Sequence, residues 1–202
     1  MYLIDTSEDV TLDTIAVMQK YIRNHISTLT ISPDQVRVSI VSYGESADVK
    51  LNLASGITVD KVLSSLTSIS RVGGKRDLSE VLDTVNKRVL SDLEIRKGAG
   101  KMIVLFVNGK DHSVSKDYLS LVVEKLRSSQ VQVTVIGIGS DVDSQIIGTI
   151  ATLPTDILLI THIHEIHIIT PGLSHGMGTA VAKGKCTYFT IVLELYSFYQ
   201  VR

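Results

Sequence analysis

Cys186 is the only cysteine among 202 residues, so no intrachain disulfide staples the fold and a disulfide scaffold is excluded. Charge of one sign is also missing. The formal net charge is -1, with 20% of residues charged, and the basic excess that a nucleic-acid partner calls for is absent. The apolar run within 186–202 is too short to span a membrane and carries Glu194. No charged leader or long apolar segment precedes Tyr2-Leu3-Ile4. No signal peptide is therefore expected in these residues, and the opening run reads as a strand clipped from a larger protein.

Catalytic signatures are lacking as well. Gly137-Ile138-Gly139 follows a β-branched run but has no third glycine for a dinucleotide loop, and no acidic residue follows at the required strand end. Gly73-Gly74-Lys75 is too short for a phosphate-binding P-loop, and Arg76 stands where that loop needs serine or threonine. There is no Gly-x-Ser-x-Gly. In His162-Ile163-His164-Glu165-Ile166-His167, a helix would put only His164 and His167 on one face, so surface histidines are expected there rather than a zinc site. No catalytic residue is assigned, and the chain is read as non-enzymatic.

What remains is a regular alternation. Helical periodicity marks 12–29, 59–66, 78–90, 116–128 and 141–151, and a helix is expected from about 162 towards 173. Strand patterns mark 2–4, 36–43, 48–53, 102–107, 131–138 and 157–160. Met102-Ile-Val-Leu-Phe-Val107 is apolar throughout, as a strand covered on both faces of a parallel sheet must be. The expected fold is α/β, a Rossmann-like doubly wound and mostly parallel sheet with helices on both faces. The hairpin near 36–53 supplies one antiparallel edge strand. The domain should end near 177. Residues 178–202 are a tail with no assigned role, and self-association is one use for it.

Ligands in such sheets bind beyond the carboxyl ends of the strands. There the sequence places Asp5-Thr6-Ser7-Glu8-Asp9, the loop Gly73-Gly74-Lys75-Arg76-Asp77, and Asn108-Gly109. Asp5, Ser7 and Asp9 offer oxygens of the kind a hard cation takes, although Ser7 or Asp9 also suits a helix cap.

This order of motifs resembles the von Willebrand factor type A domain over roughly residues 1–177. The quoted loops carry the resemblance, together with the strand from Arg37 to Tyr43, Val135-Ile136-Gly137-Ile138-Gly139, and Ile163-His164-Glu165-Ile166 leading to Pro171-Gly172-Leu173. The extracellular-matrix branch is most similar: collagen VI-like chains, matrilin-like proteins and mussel byssal matrix proteins. The resemblance implies a metal-ion-dependent adhesion site of the form Asp-x-Ser-x-Ser, then a threonine, then an aspartate. Asp5 and Ser7 match it. Asp9 replaces the second serine, Asp77 is taken as the threonine position, and Asn108 replaces the aspartate.

Three carboxylates, those of Asp5, Asp9 and Asp77, then favour holding Mg²⁺ or Ca²⁺ itself over bridging to an anionic ligand, which a net negative site repels. Lys75, Arg76, Lys110 and His112 frame the same edge as a cationic rim. The implied function is an adhesion module, secreted into the extracellular matrix as part of a larger protein, with collagen or another matrix protein as partner. The alternatives are a structural A domain without a working metal site, and an intracellular A domain in a multiprotein complex.

Overall fold

The structure is a computed structural model that describes residues 1–90, 96, 98–110 and 115–168. In chain order the elements are β1 (Tyr2–Asp5), α1 (Leu12–Ile26), β2 (Ile40–Tyr43), β3 (Ala47–Leu51), α2 (Val59–Thr67), α3 (Leu78–Arg88), β4 (Lys101–Asn108), α4 (Lys116–Ser128), β5 (Val131–Ile138), α5 (Ser144–Ile150) and β6 (Ile157–Ile160). The six strands form one sheet in the order β3-β2-β1-β4-β5-β6. All pairings are parallel except β2 with β3, which is the antiparallel edge expected from the hairpin.

Side-chain alternation along the central strands builds two cores. Leu3 of β1 and Ile103, Leu105 and Val107 of β4 point to α3, α4 and α5. Tyr2 and Ile4, with Val104 and Phe106, point to α1 and α2. Both faces of β4 are therefore covered, which is why its sequence shows no polar alternation.

Two elements differ most from their sequence patterns, the others shifting by three residues or fewer at an end. The run 36–43 forms a strand only from Ile40, because Val38 donates its N–H to Gly56 O at 2.9 Å and the register shifts between Ile40 and Val41. The turn at Gly56 thus takes the backbone group that a longer ladder needs. The helix expected from 162 is a 3-10 helix over Ile163–Ile168, and Glu165 accepts from the N–H groups of Thr161 and His162. His162 and His164 are both exposed there. The domain boundary near 177 and the tail 178–202 lie outside the described residues, as does Cys186.

Under the sheet, α1 buries His25 completely. Its Nδ1 is 3.1 Å from Tyr2 Oη, and its ring meets Tyr2 and Tyr21 edge to face, with centroids 5.9 and 6.1 Å away. Burial pushes the imidazole pKa down to about 4, against about 6.5 when unfolded. In the window between these values the unfolded chain holds the extra proton, so stability is lost as pH falls through it. Between about pH 7.5 and about pH 4.5 the expected loss from this residue is roughly 2–3 kcal/mol. Urea midpoints at the two pH values measure it, and His25→Gln should narrow the difference. An unchanged difference in the variant would show that His25 is not its source.

Candidate functional site

The strand order reverses between β1 and β4, where the chain winds outward in both directions from the centre of the sheet. A crevice at the carboxyl ends of these strands is the usual place for a site. Three loops meet there and are bonded to one another through their backbones. Thr6 N–H donates to Tyr43 O at 2.7 Å, and Thr6 O accepts from Val72 and Gly73. Glu8 N–H donates to Gly74 O at 3.0 Å, and Asp77 N–H donates to Gly44 O at 3.3 Å. Gly73 and Gly74 hold φ values of 84° and 76°, the left-handed region that glycine adopts without strain. Gly44 is required for a different reason: a Cβ there would stand 2.2 Å from Gly73 O.

At the centre of these loops, Asp5 is fully buried and accepts on both oxygens. Its Oδ1 takes Ser7 N–H at 3.1 Å and Ser7 Oγ–H at 2.7 Å. Its Oδ2 takes Arg76 Nε–H at 2.7 Å and Asn108 N–H at 3.0 Å. The Arg76 guanidinium also donates to Ser7 Oγ at 2.9 Å and to the carbonyls of Asn108 and Lys110. Asp9 Oδ2 lies 4.0 Å from Arg76 Nη2. Both side chains of the Asp5–Arg76 pair have no solvent exposure. Burial by itself works against the charged guanidinium, but Asp5 foremost, together with Tyr43 and Asp9, more than offsets this, and the net shift is toward tighter hold on the proton.

The structure sorts the sequence candidates into distinct places. Asp5 and Ser7 stand together at the centre, and Asn108 joins them through its backbone N–H and carbonyl. Asp9 is beside them, about half exposed. Asp77 instead caps α3, where its Oδ1 accepts from Ser79 N–H, Ser79 Oγ–H and Glu80 N–H. The three-carboxylate cluster of Asp5, Asp9 and Asp77 is therefore not formed, and among the described residues no group of three or more His, Cys, Asp or Glu is placed to hold a metal ion. Capping of α1 falls to Thr11, not to Ser7 or Asp9.

Lys75 and Lys110 are exposed, whereas Arg76 is 1% exposed and belongs to the interior. His112 lies outside the described residues. The metal that the family pattern implies does not fit beside Arg76, because the Asp5 and Ser7 oxygens it would need already accept from the guanidinium. Asp77-Leu78-Ser79-Glu80 does carry a local hint, since an aspartate opening an apolar-periodic run is a helix cap. With Asp77 committed to the cap, the side chain that reaches into the centre is Arg76.

Comparison with known proteins follows the same fold. The family model of the von Willebrand factor type A domain matches residues 1–166. Human von Willebrand factor A domain-containing protein 2 is 24% identical over 140 residues, covering 69% of this chain and 18% of that protein. The collagen alpha-1(XXI) chain of Xenopus laevis is 23% identical over 178 residues, covering 82% of this chain and 18% of its own length. The present chain thus spans less than a fifth of either relative. Among solved structures, proximal thread matrix protein 1 from the mussel byssus superposes with a TM-score of 0.79 at 17% identity, over 88% of this chain and 46% of that one. A second structure of that protein is described as having a zinc-occupied MIDAS motif, the metal-ion-dependent adhesion site, and superposes at 0.78. At such identity the likeness establishes the fold.

Proposed function

We propose that this chain, which belongs to the von Willebrand factor type A family, is a non-enzymatic protein-binding module of the extracellular matrix, recognising collagen or another matrix protein through the carboxyl edge of its sheet. One observation carries the reading. Loops from β1, from the α2–α3 connection and from the end of β4 are bonded into one fixed rim, above which Glu8, Asp9, Val72, Lys75 and Lys110 stand exposed. A rim ordered before contact loses little entropy on binding, which suits it to a protein partner. The matrix setting rests on relatives such as a collagen chain and a byssal matrix protein. Among the described residues no helix is long and apolar enough to cross a membrane.

Surface plasmon resonance on immobilised collagens tests this. Lys75→Glu/Lys110→Glu should weaken binding by about tenfold or more, the cost of losing one or two central contacts. Lys20→Glu, on the exposed side of α1, should leave it unchanged. Equal binding by all three proteins would put recognition elsewhere on the molecule.

A further inference from the structure

We propose that Arg76 is a built-in cation, whose guanidinium takes the place of a divalent ion at this edge and makes the site independent of metal. Its Nε and Nη2 donate to Asp5 Oδ2 and Ser7 Oγ, the two side chains that match the family's metal-binding pattern. The remaining contacts, to the carbonyls of Asn108 and Lys110, tie the end of β4 to the same centre. A planar fork with several donors can serve acceptors on separate segments at once, as a metal does through its coordination sphere. Charge agrees with geometry. Asp5 and Arg76 neutralise one another in a place without solvent, and a divalent ion a few ångströms from the guanidinium would be repelled.

Arg76 is also held at both sides along the chain. Gly74 O accepts from Glu8 N–H, and Asp77 is anchored to Gly44 O and to the cap of α3. Swinging the side chain out would therefore leave Asp5 buried with an unpaired charge. As a consequence, a partner's carboxylate finds no metal to coordinate, and the guanidinium itself is covered. Contacts on this face then fall to exposed residues such as Lys75 and Lys110. That last consequence rests on the adhesion reading above, whereas the cation assignment does not.

The probe is Mn²⁺, followed by its electron paramagnetic resonance signal against the full 202-residue chain, with melting temperatures in EDTA and in MgCl₂ alongside. The wild type is expected to leave the Mn²⁺ signal undiminished and to melt at the same temperature in both solutions. Arg76→Ser, which empties the position, is expected to take up one Mn²⁺ per chain, and Arg76→Ser/Asp5→Asn to lose it again. Saturable uptake by the wild type that Asp5→Asn abolishes overturns the proposal. So does a folded Arg76→Ser that takes up none. If Arg76→Ser does not fold, the wild type and Asp5→Asn decide the question between them. Collagen binding is read separately: its absence in the wild type would end the adhesion reading and leave the Mn²⁺ result standing.

Discussion

Replacing Arg76 by methionine is expected to destabilise the protein by about 3–5 kcal/mol, the range for removing one partner of a buried ion pair. The lost hydrogen bonds to Ser7 Oγ and to the carbonyls of Asn108 and Lys110 contribute less than what is left behind. Asp5, with no solvent exposure, would keep its charge with only Ser7 and the Asn108 N–H to hold it. The physical signature is coupling, not the size of the single loss. Asp5→Asn alone strands the guanidinium, and the double variant strands neither charge. The double variant should therefore be clearly less destabilised than the sum of the singles, by about 1 kcal/mol or more for contacting groups. Arg76→Lys should recover only part of the loss, because an ammonium is a compact charge without the fork that reaches several acceptors. Urea unfolding of the wild type, the two singles and the double measures the cycle. Additive losses would mean that the two side chains do not act as a pair.

Phe106→Ala is expected to cost a similar amount, about 3–5 kcal/mol, for an independent reason: the cavity it would leave in the middle of β4. Phe106 is fully buried, and its ring meets Tyr21 of α1 at 81° with centroids 5.8 Å apart. Its own carbonyl accepts from Tyr43 Oη, so the strand is pinned there even as the side chain is cut back, and collapse around the void is restricted. In a domain of this size the fall in melting temperature should be roughly 10 °C. Leu121→Ala supplies the contrast. Leu121 is 62% exposed on α4, and its loss should lie within about 0.5 kcal/mol of zero. Differential scanning calorimetry on both variants distinguishes them, and equal effects would contradict the placement of the core.

The two variants also show which parts of the molecule are written locally. Phe106 sits in an apolar run that has only one stable use, a strand covered on both faces, and β4 forms where that run lies. The helix at Lys116–Ser128 and the strands at Val131–Ile138 and Ile157–Ile160 follow their periodicity to the residue. The antiparallel hairpin edge also forms where its pattern lies. Each of these is fixed by which side chains must leave water, and that choice is made within a few residues. Strand 36–43 is shorter than its pattern because Gly56, outside that pattern, claims Val38.

For the site, local pattern is enough to mark the sheet edge, the loops that end there, and Asp5 and Ser7 two residues apart as polar groups of one turn; that the Ser7 hydroxyl and N–H both bond to one Asp5 oxygen is seen in the folded chain. What fills the space between the loops depends on long-range folding. Arg76 lies 71 residues from Asp5, and Asn108 lies 103 residues from it. A charged side chain beside two glycines reads as a solvated rim until a buried carboxylate is brought over it. A buried charge requires a partner, and which cation answers that requirement depends on distances that arise only when β1, β4 and the loop before α3 close on one another.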